Sequence, residues 1–152
     1  MNLALAFLMA LLAIFPSTPA RSCMLARRDR IVAQAQAAST NHGVPLGVLY
    51  MVAFRETHVG CDRASGGCWG APVSPTERHT AGTAEHAARA LATSFARCHS
   101  WRGAISRFRC GLCTCPPRYS GYVNTVMRYI GVLYDRVGEP LPDHMTPPLV
   151  RR

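Results

Sequence analysis

The chain has 152 residues, which is the length of one domain and excludes two full-sized domains. Its hydrophobic content of 49% is sufficient for a folded core and excludes disorder over the whole chain. All 17 basic residues are arginine, so Schiff-base and P-loop lysine chemistry are excluded. With eight acidic residues the formal net charge is +9, which favours an anionic partner such as the cell envelope, a nucleic acid or a membrane surface.

An apolar run of 13 residues covers positions 3–15. A membrane-spanning helix needs about 20 residues, so this run is too short to span a bilayer. Prolines and small residues follow it up to Ala20, as in the cleavage region of a secretory signal. We therefore predict that residues 1–20 are a signal peptide lying outside the fold and that the mature protein is secreted or periplasmic. The alternative is an uncleaved signal anchor. If the signal is cleaved, we expect the mature protein to have no membrane span.

Seven cysteines are present, and in an exported chain they are expected to form disulfide bonds. Six cysteines alone allow 15 pairings. The first candidates are Cys61–Cys68, which closes a short loop, and Cys98–Cys113. Because the count is odd with Cys23 included, at least one thiol is expected to be free or to pair between chains.

A zinc site is the alternative use of the cysteines. Cys110, Cys113 and Cys115 are closely spaced and His99 is nearby. A structural zinc site usually needs a second pair with comparable spacing, which the sequence lacks. We therefore expect disulfides and no metal.

Helices dominate the predicted secondary structure. Helical spacing of apolar residues predicts five helices, over residues 24–41, 45–57, 83–98, 101–109 and 119–137. The Gly-, Pro-, Ser- and Thr-rich residues 59–82 are typical of a functional loop or a short hairpin. The expected fold is thus mainly α, stapled by disulfides, with its domain over residues 21–137 and a disordered Pro/Arg tail over 138–152.

Glu56 is a carboxyl group that the helical pattern places on an apolar face. It lies three and four residues beyond Ala53 and Val52, so its side chain continues the face that they form. Burial disfavours the charged form of a carboxyl group, which suits an acid that must hold a proton and donate it to a leaving group. The alternative is a helix-end carboxylate paired with Arg55 or a neighbouring arginine.

Five segments in order resemble the lysozyme-like lytic transglycosylase family (SLT or goose-type-lysozyme-like domain). They are GVPLGVLYMVAFRET at 43–57, GGCWG at 66–70, an alanine-rich helix at 84–96, ISRFRCG at 105–111 and YVNTV at 122–126. In that family a helix that opens after Gly-Val-x ends in Ala-x-x-Glu-Ser/Thr, and the glutamate is the catalytic acid. The resemblance covers residues 43–133.

The resemblance implies a fold, a reaction and a partner. The fold would be a lysozyme-like helical domain with an irregular or short-hairpin loop. Glu56 would act as acid and then as base to break the β-1,4 bond between N-acetylmuramic acid and N-acetylglucosamine, leaving 1,6-anhydro-muramyl ends. The partner would be peptidoglycan glycan strands, with no cofactor, no metal and no nucleic acid.

The resemblance also implies substrate-binding positions at Thr57, Trp69, Phe108 and Tyr122. The Tyr122 hydroxyl is expected to orient Glu56 or a sugar N-acetyl group; its alternative is an ordinary aromatic residue on a helix face. The Trp69 ring is expected either to stack on a sugar or to cap the core.

Two departures from the family pattern bear on activity. Val73 stands where the family usually has a sugar-binding glutamine, and Phe108-Arg109 replaces a Tyr-Asn pair.

A hydrolysing muramidase would usually need a second carboxylate, for which Asp62 and Glu77 are the candidates.

Two other function classes stay open. The departures are consistent with a catalytically inactive module that binds glycan or another envelope protein. A small basic protein that binds nucleic acid or disrupts membranes would use arginines around the cysteines. These are Arg97, Arg102, Arg107, Arg109 and Arg118. Secretion and the lack of a nucleic-acid-binding motif argue against nucleic acid.

Overall fold

The computed structural model describes residues 2–62, 69–70 and 84–146. Within these ranges the chain forms seven helices and no strand, so the mainly α prediction is confirmed. The helices are α1 (Leu3–Ile14), α2 (Arg21–Ala26), α3 (Arg28–His42), α4 (Leu46–Thr57), α5 (Ala84–Cys98), α6 (Trp101–Cys110) and α7 (Pro117–Val137). Most of the predicted loop or hairpin at 59–82 lies outside the described residues.

Helix α4 lies at the centre of the core. Residues 46–54 are all buried, and the helix packs against α1, α3, α5 and α7. A helix that is apolar on every side is stable only when neighbours cover all of its faces. Only the last turn, with Arg55, Glu56 and Thr57, reaches the surface.

The helices α4 to α7 begin and end within two residues of the predicted bounds. The first predicted helix, 24–41, is instead two helices, α2 and α3. The chain leaves the helical path at Arg27, where φ is −101° and ψ is 13°. Helix α3 ends at His42 and is capped by Gly43, whose left-handed φ of 66° suits glycine.

Residues 3–14 form a helix inside the core of the full-length chain, whereas we expected residues 1–20 to lie outside the fold. The side chains of Phe7, Leu8 and Leu11 are at most 1% exposed. The Arg21 guanidinium donates a hydrogen bond to the Leu12 carbonyl oxygen (3.0 Å), across the predicted cleavage site. Cleavage after Ala20 stays a prediction, which the intact mass of the exported protein checks. None of the described helices is both long and apolar enough to cross a membrane.

Three disulfide bonds use six of the seven cysteines. They join Cys23 to Cys61, Cys98 to Cys113 and Cys110 to Cys115. The predicted Cys98–Cys113 pair is confirmed. The predicted Cys61–Cys68 pair is wrong, because α2 places the Cα atom of Cys23 5.9 Å from that of Cys61. Cys68 lies outside the described residues. The three cysteines of the zinc alternative, Cys110, Cys113 and Cys115, are all in disulfide bonds.

The described part of the tail after Gly138, which we predicted to be disordered, makes two backbone hydrogen bonds to the start of α6. The backbone N–H groups of Trp101 and Arg102 donate to the carbonyl oxygens of His144 (2.8 Å) and Met145 (2.9 Å). The first N–H groups of a helix have no partner within it. The tail therefore supplies acceptors for the start of α6, and this fixes residues 144–145 against the domain.

The fold predicts that Gly47→Ala destabilises the protein. A Cβ atom at Gly47 would overlap the Tyr134 ring, which cannot move freely within the core and is present whether or not residues 1–20 are cleaved. We expect a loss of about 1–3 kcal/mol in the free energy of unfolding, measured by urea denaturation with the disulfides intact.

Gly131→Ala on α7 is the matched control, because a Cβ there meets nothing within 4 Å. It is expected to stabilise the protein by about 0.5–1 kcal/mol through helix propensity. Equal stability of Gly47→Ala and the wild type would contradict this packing.

Candidate functional site

Glu56 lies immediately before an unusual backbone reversal. After α4 ends at Thr57, the residues His58, Val59 and Gly60 all have left-handed φ values, of 49°, 58° and 79°. This conformation is disfavoured for a β-branched residue such as Val59. Such strain concentrates at functional sites and is kept only where the surroundings hold it. The Val59 N–H donates to the Ala53 carbonyl oxygen (3.1 Å) and so locks the reversal onto α4.

Thr57 and Asp62 help to hold this reversal. The Thr57 hydroxyl accepts a hydrogen bond from the Gly60 N–H (2.9 Å) and donates to the Ala53 carbonyl oxygen (3.4 Å). A carboxylate oxygen of Asp62 lies 2.5 Å from Nδ1 of His58. Substrate binding by Thr57 and the role of Asp62 as a second carboxylate stay predictions. Glu77 lies outside the described residues.

The structure brings Tyr122 to Glu56, although 66 residues separate them. The Tyr122 hydroxyl, on α7, donates a hydrogen bond of 2.6 Å to Oε1 of Glu56. The Glu56 side chain is 17% exposed, so solvent reaches one part of it. Burial raises the pKa of Tyr122 well above its ordinary value, and the negative charge of Glu56 raises it further. The hydroxyl therefore stays protonated at neutral pH and remains a donor.

Gly70 packs against the Glu56 side chain. Its φ of +97° is unfavourable for other residues, and a Cβ atom at this position would lie 2.6 Å from Cγ of Glu56. The neighbouring Trp69 is 2% exposed, and its ring centroid is 6.1 Å from that of Tyr50. The structure therefore favours the core-capping alternative for Trp69 over stacking on a sugar.

Arg109, which the sequence placed in a candidate basic patch, lies beside Glu56 in the structure. Its Nη1 lies 3.9 Å from Oε2 of Glu56, and its guanidinium lies over the Tyr122 ring, 4.9 Å from the centroid. The arginine paired with Glu56 is thus Arg109 rather than Arg55, whose guanidinium is 6.0 Å from the same ring centroid. The available signal was its position, because Arg109 stands where the family that the sequence resembles has an asparagine.

Phe108 points towards another part of the surface. It lines a pocket of about 280 Å³ between α5 and α6, with His86, Arg89 and Arg107 among its neighbours. Glu56 and Tyr122 do not line this pocket. A role for Phe108 in substrate binding stays a prediction.

Several arginines of the predicted basic patch have partners within the chain. The Arg102 guanidinium donates to the Asn124 side-chain oxygen (2.5 Å), and that of Arg107 donates to the Ser94 hydroxyl (3.3 Å). Arg118 lies over the Tyr119 ring, 4.9 Å from its centroid. Through these contacts the three arginines bind other residues of the same chain. A surface patch that binds an external partner would not require such contacts.

The chain matches no protein-family model, no curated protein and no solved structure. Over residues 2–62, 69–70 and 84–146, no three His, Cys, Asp or Glu side chains are grouped so that they could hold a metal ion. The contacts described above make Glu56 the centre of the candidate site, with Tyr122, Arg109 and Gly70 around it.

The site predicts a coupling between the ionisation of Tyr122 and the charge of Glu56. In Glu56→Gln the pKa of Tyr122 should fall relative to the wild type, because a negative charge that opposes ionisation is removed. It should stay above the ordinary value, because burial is the larger cause. The measurement is the ¹³C chemical shift of labelled tyrosine Cζ at rising alkaline pH, where ionisation of Tyr122 should begin at a lower pH in Glu56→Gln than in the wild type, with Tyr122→Phe to assign the signal.

Glu139→Gln is the control for this titration, because it removes an exposed carboxylate from the tail after α7. It should leave the Tyr122 signal unchanged. Identical Tyr122 titrations in Glu56→Gln and the wild type would contradict the hydrogen bond.

Proposed function

We propose that the protein is an exported lytic transglycosylase that cleaves the β-1,4 bond between N-acetylmuramic acid and N-acetylglucosamine in peptidoglycan. The observation that carries this proposal is the 2.6 Å hydrogen bond from Tyr122 to Glu56 at the exposed end of the buried helix α4. Two of the segments that resemble the family, 43–57 and 122–126, contribute these two residues. Their meeting in space supports a shared role.

In the first step Glu56 acts as a general acid. Its proton passes to O4 of the N-acetylglucosamine leaving group while the bond between that oxygen and C1 of the muramyl residue breaks. A partly exposed carboxyl group suits this step, because one oxygen can face the substrate. Tyr122 holds Oε1, which leaves Oε2 on the side of Arg109.

In the second step Glu56 acts as a general base. The carboxylate accepts the proton of the muramyl C6 hydroxyl, whose oxygen bonds to C1 and closes the 1,6-anhydro ring. The proton that Glu56 lost is regained, so the enzyme is ready for another cycle and no water is consumed. The reaction uses no metal and no organic cofactor.

The surroundings of Glu56 support a fixed carboxyl orientation. Gly70 leaves no space on one side of the side chain, and the Tyr122 hydroxyl fixes one oxygen. A catalytic group that is held in place before the substrate binds does not have to be ordered during the reaction. Substitution of either neighbour is therefore expected to lower the rate.

The disulfides and the charge of the chain support an envelope location. Three disulfide bonds are typical of proteins in oxidising compartments. The net charge of +9 favours association with an anionic wall polymer. Both features fit an exported enzyme that acts on peptidoglycan.

The proposal predicts that Glu56→Gln loses lytic activity. Purified sacculi incubated with the wild type should release fragments with 1,6-anhydro-muramyl ends, identified by mass spectrometry. Because glutamine cannot exchange the catalytic proton, release by Glu56→Gln should fall by at least about 100-fold. The oxidised state of both proteins is checked by mass before the assay.

Glu139→Gln is the matched control and should retain the wild-type rate, because this exposed carboxylate lies in the tail after α7. Fragments with reducing ends would show hydrolysis instead of transglycosylation. No fragments from correctly oxidised wild-type protein would contradict the enzymatic proposal and favour the binding module.

A further inference from the structure

We infer that Arg109 forms an anion subsite beside Glu56, which selects glycans that carry a carboxylate next to the scissile bond. This inference rests on the proposed function and specifies the substrate class for the same site. It concerns a residue at which the chain departs from the family pattern, so the family resemblance does not supply it.

The guanidinium of Arg109 has unused hydrogen-bonding capacity. An arginine side chain has five N–H donors in a planar arrangement that matches a carboxylate. Oε2 of Glu56 lies 3.9 Å from Nη1 of Arg109, which is too long for a hydrogen bond. Among the described residues no acceptor lies within hydrogen-bond distance of the guanidinium, and the Arg109 side chain is 41% exposed. A ligand from solvent can therefore reach these donors.

Two tyrosines position this guanidinium. Its carbon lies 4.9 Å from the Tyr122 ring centroid and 5.8 Å from the Tyr119 ring centroid. A cation over an aromatic face is attracted by the ring without using its N–H donors. Tyr122 therefore contacts both Glu56 and Arg109, so the acid and the cation share one support.

Two disulfides fix the segment that connects Arg109 to these tyrosines. Helix α6 ends at Cys110, which is bonded to Cys115, and Cys113 in between is bonded to Cys98 at the end of α5. Pro117 then begins α7, which carries both tyrosines. A cross-linked connection limits the movement of Arg109 relative to α7. The subsite is therefore largely formed before a ligand binds.

The charge around Glu56 favours an anionic ligand. Arg55 and Arg109 both lie near the Tyr122 ring, at 6.0 Å and 4.9 Å from its centroid. Two positive groups thus lie near the ring of the tyrosine that donates to Glu56. A substrate carboxylate would compete with Glu56 for the Arg109 guanidinium and could form two parallel hydrogen bonds with it.

Peptidoglycan offers this carboxylate from two sources. The lactyl group of muramic acid has a free carboxylate where the peptide has been removed, and the peptide stem has further carboxylates where it is present. Both present the same group to Arg109. The experiment therefore compares substrates that differ in these carboxylates alone.

The test measures binding of soluble glycan oligomers by calorimetry, with Glu56→Gln as the background so that the substrate is not consumed. Three forms of the oligomer are compared. The first has had its peptides removed, and the second has had its peptides removed and its lactyl carboxylates converted to methylamides. The third keeps its peptides. Addition of R109Q should weaken binding of one or both carboxylate-bearing forms by about 10- to 100-fold. Binding of the methylamide form should not change.

Two further variants separate recognition from a structural effect. R128Q is the matched control, because Arg128 lies 4.9 Å from the Tyr129 ring centroid on the same helix as Tyr122, and it should change no affinity. R109K keeps the charge and loses the planar donor pair, so its affinity for the carboxylate forms should lie between those of arginine and glutamine.

The outcomes distinguish this inference from the proposed function. Weakening for the peptide-free form alone assigns the lactyl carboxylate, and weakening for the peptide-bearing form alone assigns the stem. Equal weakening for the methylamide form, or no weakening by R109Q in a protein that binds glycan, overturns the subsite and leaves the proposed function intact. No glycan binding, together with no cleavage by the wild type, overturns both.

Discussion

The burial of α4 on every side is the constraint on which the rest of the structure depends. A helix of this composition is stable in water only if other helices cover it, and α1, α3, α5 and α7 do so. Its last turn is the one part that reaches the surface. Glu56 is therefore held by a buried helix and is still exposed in part, because it lies in the last turn of that helix. A functional side chain needs both a fixed position and access to a ligand.

The surroundings of Glu56 come from three distant parts of the chain. Tyr122 donates to one of its oxygens from α7, Arg109 lies near the other at the end of α6, and Gly70 packs against the stem. The disulfides near α6 link the ends of α5 and α6 to the connection that leads to α7, whereas Cys23–Cys61 secures the chain just after α4. Covalent links thus fix a site that a chain of this size would otherwise hold by packing alone.

Local sequence signals predicted most of the helices, because helix formation depends on residues that are three or four positions apart. The helical spacing of apolar residues located α4 to α7 within two residues. The break at Arg27 has no such signal. The contact between the tail and α6 has no local sequence signal either. The carbonyl oxygens of His144 and Met145 accept from α6 only because the fold brings the two segments together.

The sequence by itself determined the mainly α class and the choice of Glu56 as the residue to examine, since both depend on spacing along the chain. Only the tertiary structure decided which groups meet Glu56 and where Trp69 lies. It also decided that Cys23 pairs with Cys61 and that residues 3–14 pack in the core. The physical reason is that these contacts join residues far apart in sequence, whose proximity depends on how the helices pack.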